Sequence, residues 1–511
     1  MKWRRARPEA ALPAIGRAFA DGRLTAERLV QHCVDRIAAY DQRGPRINAV
    51  INLNPEALER ARELDRERAH GGPRGLLHGI PVVVKDTIDV AGMPTTGGFT
   101  ALAESFPRRD AAAVRRLHDA GAVVLAKVNA NDWFGKAPMS ASTLGGQTLN
   151  PHHLNYVPGG SSCGTGAALA ANYAPLGLGT DASGSVLMPA ADSGVLGLIP
   201  SRGLVSRAGS MCMAPTIGRL GIMARSAFDL AAALSCLAGW DPEDMTTTEA
   251  LEWFPRQPYE SQLAGASLGA FRIGVLREMW RDLPRHGEGI RIMEQLLGAL
   301  RAAGAIMVDP VLTDIDLQDV GTLETWQSSA TSYELIPALN AYFARLGPDA
   351  PYCTVEQLID AAGVDRLKGR FGEALALPPP EQSDYYLARL QAQAMLRDAL
   401  VDVITRHRLH ALLLPYSLIG ASRVGERRAD GTNSLASHAG LPSIVVPAGH
   451  TAAGLPLAAQ LIARPYADTT LLRLAHLLDH AAGAVKLPAA TPPLPGEDHL
   501  SGRGADAQSA T

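Results

Sequence analysis

The chain has 511 residues, of which 47% are hydrophobic and 19% charged, and this composition is that of a globular protein rather than a disordered or fibrous one. A formal net charge of −3 gives no electrostatic basis for binding nucleic acid or an anionic membrane. Five cysteines without disulfide or metal spacing favour the cytoplasm, and the lack of HExxH and CxxC motifs leads us to predict no metal and no cofactor.

The first part of the chain carries helical patterns that lead into a buried strand. Residues Leu12–Tyr40 predict one or two amphipathic helices with Thr25 as an N-cap, and Asn54-Pro55 predicts the start of a charged surface helix. The apolar run Ile80–Val84 then predicts a short strand that delivers Lys85. A lysine in this position is rarely buried without a partner or a chemical task, although a surface turn is the simpler interpretation.

A helix at 110–120 and a strand at 122–126 precede a long polar segment, 127–156. Loops of this length in compact enzymes usually line a binding site. Trp133, Phe134 and Met139 lie in this segment. They predict an apolar substrate pocket, and the alternative is that they belong to the core.

The stretch 158–200 holds two clusters of glycine and serine, GGSSCG at 159–164 and DASGS at 181–185. An apolar run without a charged residue joins them. Glycine and serine in buried turns allow backbone N–H groups to approach a ligand closely. We interpret this stretch as the floor of an active site.

Strands and helices continue to alternate towards the end of the chain. Helices are predicted at 226–238, 287–303, 317–346, 384–406 and 468–482, and strands at 271–276, 305–310, 411–415, 443–447 and 457–462. This alternation predicts an α/β fold with a large mixed, twisted sheet that is covered by helices on both faces (α/β/α). Residues 1–486 are predicted to form one domain, with a helix-rich cap at about 240–400, and residues 487–511 a disordered tail.

Three of these motifs, taken in order, resemble the amidase signature family of serine hydrolases. They are GIPVVVKD around Lys85, GGSS at 159–162 and GTDASGS at 179–185, and the similarity extends to GGQTLNP at 145–151 and GLPSIVVPAG at 440–449. The resemblance implies the amidase-signature fold and a Ser–cis-Ser–Lys triad. It assigns the nucleophile to Ser185, the cis-serine to Ser161, the base to Lys85, the oxyanion hole to the backbone N–H groups of Ala182, Ser183, Gly184 and Ser185, and supporting roles to Ser162 and Asp181.

The chain departs from the commonest family pattern at Cys163, Ser183 and Leu187. On this ground we predict a stand-alone amidohydrolase that forms an acyl-enzyme on Ser185 and cleaves aryl or alkyl amides, carbamates or peptide C-terminal amides. Its expected substrate is a small molecule and its expected state a monomer or homodimer, without nucleic acid or membrane partners. The alternative is the amide-transfer subunit of a tRNA-dependent amidotransferase, which works only with partner chains.

Three further interpretations stay open from the residues alone. Residues 160–164 also satisfy the GxSxG motif of the nucleophile elbow, which would make Ser162 the nucleophile with His438 or His450 as a partner. Cys163 could be a nucleophile, although a small buried thiol is the simpler interpretation. A catalytically inactive binding protein is the third.

Overall fold

The computed structural model describes residues 11–132, 139–280, 283–315, 317, 331–348, 350–362, 370–426, 434–481 and 487–494. The helices are α1 (Ala11–Ala20), α2 (Ala26–Tyr40), α3 (Ala57–Gly71), α4 (Ala112–Asp119), α5 (Cys163–Ala170), α6 (Leu187–Asp192), α7 (Ala227–Leu237), α8 (Gly287–Ala302), α9 (Thr331–Leu346), α10 (Val355–Ala362), α11 (Arg370–Leu375), α12 (Asp384–Arg406), α13 (Leu435–His438) and α14 (Asp468–Ala481). The strands are β1 (Val50–Leu53), β2 (Pro81–Lys85), β3 (Val123–Val128), β4 (Ala141–Ser142), β5 (Gly146–Gln147), β6 (Leu176–Asp181), β7 (Leu196–Ile199), β8 (Arg219–Ala224), β9 (Arg272–Leu276), β10 (Ile306–Val311), β11 (Ala411–Pro415), β12 (Ser443–His450) and β13 (Pro456–Ile462).

Eleven of the strands form one mixed sheet in the order β1-β3-β2-β6-β8-β7-β12-β13-β11-β9-β10. Strand β2 runs parallel to both β3 and β6, whereas β6 pairs antiparallel with β8. The residues of β2, β3 and β8 are buried throughout, as expected of strands in the interior of a covered sheet. The predicted α/β fold is confirmed, and it brings the ends of β2 and β6 side by side.

Local signals account for several element boundaries. Thr25 caps α2 through a hydrogen bond from the Arg28 N–H to its Oγ1 atom, which confirms that prediction. The charged helix begins at Ala57 rather than at the proline, because the Asn54 side chain accepts the N–H of Glu56 and holds a turn before the helix. Strands β7 and β8 were not predicted, although they join the two halves of the sheet.

The segment predicted as a cap divides between two parts of the molecule. Strands β9 and β10 extend the main sheet, whereas α9 and α10 contribute to a second hydrophobic cluster that also contains Phe99 and Met211. Helix α9 is tied to the main body by Glu334, which accepts hydrogen bonds from the N–H and hydroxyl of Thr216. The boundaries of the domain and cap stay a prediction.

Residues 487–494 belong to the segment predicted to be a disordered tail, and the structure describes them. The carbonyl of Thr491 accepts a hydrogen bond from Arg36, and that of Pro492 accepts one from the Tyr40 hydroxyl. The remainder of the predicted tail, 495–511, lies outside the described residues. Within the described part of the chain, no helix combines the length and apolar character needed to cross a membrane.

Candidate active site

Lys85 ends β2 in the interior of the sheet, and its side chain is fully buried. Its Nζ atom lies 2.7 Å from Ser161 Oγ and 2.9 Å from Thr180 Oγ1. Asp86 is fully buried as well, so the interpretation of Lys85–Asp86 as a surface turn is wrong. The sheet brings the lysine to serine because β2 and β6 pair in parallel and both end beside the loop that carries Ser161.

Burial lowers the pKa of Lys85 from 10.5 to about 7, and negative charge at Asp181 opposes this shift. The cause is desolvation, which disfavours the charged ammonium form. A lysine with this pKa is neutral in a large fraction of molecules near pH 7. It can then accept a proton from the hydroxyl that it contacts.

The peptide bond between Gly160 and Ser161 is cis, and the Ser161 carbonyl accepts a hydrogen bond from the Asn131 N–H. A Cβ atom at Gly160 would collide with the Asn131 side chain, so this position requires glycine. Ser162 is buried behind the site, where its N–H donates to the Ser185 carbonyl and its hydroxyl to the Thr180 carbonyl. These contacts agree with a supporting place for Ser162.

Ser185 lies in the loop between β6 and α6, and the carboxylate of Asp181 organises this loop from inside. Asp181 Oδ1 accepts the Gly184 N–H at 2.9 Å, and its Oδ2 accepts the Val186 N–H at 2.7 Å. Gly184 has φ +90°, a conformation that favours glycine. Asp181 is buried and bonded on both oxygens, as expected of an anchor.

The Gly184 N–H, which was predicted to form part of the oxyanion hole, is already hydrogen-bonded within the protein. Its N–H is donated to Asp181 and lies 3.1 Å from Ser437 Oγ, so it is engaged by the protein. Ala182 lines the cleft beside Ser185. The assignment of an oxyanion hole to the N–H groups of Ala182, Ser183 and Ser185 stays a prediction.

Ser161 and Ser185 line the same narrow cleft, which has a volume of about 20 Å³. Met211, Cys212 and Arg219 also line this cleft. Arg219 was not singled out from the sequence, where it stands in a segment without a motif. Its guanidinium is buried and donates to the carbonyls of Leu441 and Ala436, and burial lowers the pKa of Arg219 to about 10.

Three residues, Trp133, Phe134 and Met139, were predicted to contact substrate. Trp133 and Phe134 lie outside the described residues. Met139 is 39% exposed, and its sulfur lies close to Gly160, at 3.2 Å from the position a Cβ would take there. Met139 is therefore near the cis peptide, and its contact with substrate stays a prediction.

The structure weakens the rival nucleophiles. Residues 148–162, all of them described, form turns and isolated bridges rather than the strand that a nucleophile elbow needs before Ser162. Cys163 is fully buried with its sulfur directed at the Asn129 carbonyl, 3.5 Å away, and burial raises the pKa of this thiol to about 11. A thiol in this state is a poor nucleophile.

The two histidines named by the elbow hypothesis have other contacts. His438 Nδ1 lies 3.1 Å from the Ser434 carbonyl oxygen, and the His450 ring packs near that of His152.

Among the described residues, no group of three or more histidine, cysteine, aspartate or glutamate side chains could hold a metal ion. The absence of a metal or cofactor requirement stays a prediction.

The chain is similar in sequence and structure to proteins of the amidase family. The family model described as Amidase matches residues 28–472. The A subunit of the glutamyl-tRNA(Gln) amidotransferase from Deinococcus deserti is 34% identical over 499 residues, which cover 93% of this chain and 96% of that protein. The protein of the same name from Geobacter metallireducens is 32% identical over 468 residues, with coverage of 87% and 92%. The X-ray structure of peptide amidase from Stenotrophomonas maltophilia is 34% identical, covers 95% of this chain and 99% of that one, and has a TM-score of 0.83.

The curated relatives overturn two predictions. A stand-alone hydrolase of amides or carbamates is wrong, and so is the expectation of a monomer or homodimer that acts on a small molecule without nucleic acid, because these relatives are subunits of a tRNA amidotransferase. The physical reason is that two of the three departures used to prefer a hydrolase, Cys163 and Leu187, face away from the cleft. Cys163 points to the Asn129 carbonyl, and Leu187 is fully buried in the hydrophobic core.

Proposed function

This chain belongs to the amidase family, and from that premise we propose that it is the amide-transfer subunit of a tRNA-dependent amidotransferase. Its own reaction is the release of ammonia from an amide donor, a C–N bond other than a peptide bond. Partner chains then carry the ammonia to an acyl group on tRNA. The names of the curated relatives support the assembly, and the contact between Lys85 and Ser161 supports the chemistry.

The first step proposed is attack of Ser185 Oγ on the carboxamide carbon. Ser161 receives the proton from Ser185 and passes its own to neutral Lys85, which lies 2.7 Å from its hydroxyl. The proton then returns to the leaving nitrogen, so that the C–N bond breaks, ammonia leaves and an acyl-enzyme forms on Ser185. Water hydrolyses this ester by the same relay and restores the serine. The single observation that carries the proposal is this buried lysine–serine contact.

The size of the cleft indicates which of the two substrates of such an enzyme binds to this chain. The cleft at Ser161 and Ser185 has a volume of about 20 Å³, so we place only the small carboxamide group of the donor in it. The acceptor tRNA is far larger, and we place it on the partner chains. The cytoplasm is the proposed compartment, in keeping with five cysteines that are all free thiols.

The experiment is to express the tagged full-length chain in its native cells and to identify the proteins that co-purify with it. Ammonia release from glutamine and other primary carboxamides is then measured with and without those partners and glutamyl-tRNA(Gln). We expect a stable complex and a rate that increases at least tenfold when partners and tRNA are present. Isolation of the chain alone, with the same rate under both conditions, would contradict the proposal.

The matched control is Ser185→Ala. It should co-purify with the same partners because its side chain is small and lies in a cleft, yet it should release no ammonia. A variant that retains activity would remove Ser185 from the mechanism without affecting the question of partners.

A further inference from the structure

The loop that carries Ser185 is held from outside by a distant part of the chain. Helix α13 and the residue before it, Ser434, lie against this loop, although about 250 residues separate the two segments. Ser434 is 5% exposed and Ser437 fully buried. Both are serines whose hydroxyls face the loop backbone or its anchor.

Ser437 makes two contacts with the loop at once. Its hydroxyl donates to Asp181 Oδ1 at 2.7 Å and lies 3.1 Å from the Gly184 nitrogen, whose N–H it accepts. The same N–H also reaches Asp181 Oδ1 at 2.9 Å. Ser437 therefore closes a three-membered ring of hydrogen bonds with the carboxylate and the backbone.

The carbonyl side of the Ser183–Gly184 peptide is held as well. Ser434 Oγ donates to the Ser183 carbonyl at 2.9 Å. The Ser183–Gly184 peptide is thus bonded at its oxygen by one serine and at its nitrogen by the other. The next carbonyl, that of Gly184, lies 3.4 Å from the Tyr416 hydroxyl.

Helix α13 is itself fixed by the buried guanidinium of Arg219. Its Nη2 atom lies 3.2 Å from the Ala436 carbonyl oxygen and 3.5 Å from that of Ser437. Strand β8 holds this arginine directly opposite Asp181 in the register with β6. The helix can therefore not shift without losing charge-assisted bonds in a buried site.

We propose that Ser437, assisted by Ser434, is a positioning residue that orients the backbone around the nucleophile Ser185. The following peptide, which bears the Ser185 N–H, is also held, because its Gly184 carbonyl accepts the Met188 N–H at 2.7 Å. The two fixed peptides together orient the Ser185 N–H. Preorganised backbone donors are a large source of transition-state stabilisation, so a small rotation of this loop lowers the rate. The inference rests on the proposed nucleophile and not on the partners.

The test is the rate of labelling of the full-length protein by a fluorophosphonate. Ser185 Oγ forms a bond to phosphorus, fluoride leaves, and the serine proton passes through Ser161 to Lys85. Ser437→Ala should lower the maximal labelling rate about tenfold or more and change the half-saturating concentration less than threefold. Ser434→Ala should lower it about threefold, and the double variant should lose less than the product of both because they act on one peptide.

Ser201→Ala is the matched control, since Ser201 is a buried serine whose hydroxyl donates to the carboxylate of Asp468, 2.5 Å away, outside this loop. It should lose thermal stability to a similar extent and keep a labelling rate within twofold of wild type. Equal slowing in Ser201→Ala and Ser437→Ala, or wild-type labelling of Ser437→Ala, would overturn the inference. Wild-type labelling at a residue other than Ser185 would reject the proposed nucleophile as well, which separates the two failures.

Discussion

Two buried lysines on neighbouring strands have different surroundings. Lys85 ends β2 and Lys127 lies in β3, and both are fully buried. Because Lys127 is paired with Val84 in the parallel register, the two side chains project from opposite faces of the sheet. Lys85 donates to the neutral oxygens of Ser161 and Thr180, whereas Lys127 forms an ion pair of 3.2 Å with Asp86.

This difference shows that burial alone does not make a lysine a base. Burial lowers the pKa of both side chains, and at Lys127 the charges of Asp86 and Asp89 act against it. An ion pair in a buried site keeps the ammonium form. Lys127 is further bonded to Thr95 Oγ1 and the Pro94 carbonyl, so its donors are committed to structure. We therefore expect the chemistry on the face of the sheet that carries Lys85.

The largest expected effect is on activity at Lys85. Lys85→Arg keeps a positive charge but cannot lose its proton at accessible pH, so it should be as inactive as Lys85→Ala, with a loss of about 10³-fold or more in labelling by a fluorophosphonate. Circular dichroism should show that both variants are folded. Substantial activity in the arginine variant would mean that the lysine supplies charge and not a base.

Of the two lysines, only Lys85 could be singled out from the sequence. Lys85 and the two serine clusters form local motifs, because chemistry constrains neighbouring residues. Lys127 was not singled out, since it lies in no motif and its ion pair with Asp86 spans 41 positions. The same holds for Ser437, whose contact with Asp181 spans 256 positions.

Strands could be predicted from the sequence where a short apolar run has turn residues at both ends. The runs at 411–415 and 457–462 match β11 and β13 because short apolar runs with turns at each end indicate strands. Strand β7 has the sequence LGLI and β8 begins with Arg219, so glycine and a buried charge obscure them. Only the tertiary contacts of that arginine make its burial possible.

The second expected effect is on stability and falls on the other lysine. Lys127→Met leaves the buried carboxylate of Asp86 without its partner and should lower the free energy of unfolding by about 3–5 kcal/mol. Urea unfolding followed by fluorescence measures this value. Lys127→Met/Asp86→Asn should recover part of the loss.

The matched variant for this measurement is Lys85→Met. It removes a lysine that is costly to charge in the folded state, so it should leave stability unchanged or raise it at pH 7. A destabilisation equal to that of Lys127→Met would show that both lysines are structural and would remove the contrast between them.

The third expected effect is the pH dependence of Lys85. Its neutral form is the competent base, so the labelling rate should fall about tenfold per pH unit below the pKa of about 7 and level off above it. The contribution of Lys85 to stability should also rise with pH, but in a higher window. Between about 7 and 10.5 the unfolded chain binds the proton that folded Lys85 has released, so the free energy of unfolding increases with pH there. A rate profile without an acid limb near pH 7 would refute the assignment.

The smallest expected effect is at Cys163, which is the test of what tunes Lys85. A thiolate at this position would raise the pKa of the lysine, but burial raises the pKa of the thiol to about 11, so Cys163 carries no charge near pH 7. Its sulfur faces the Asn129 carbonyl and also interacts with Thr148, so replacing it removes weak hydrogen bonds and no charge. Cys163→Ala should therefore keep the labelling rate within threefold of wild type and leave the acid limb in place. A limb displaced to lower pH would show that the thiol shares charge with the lysine, and the desolvation by the sheet would then be insufficient to explain the pKa of Lys85.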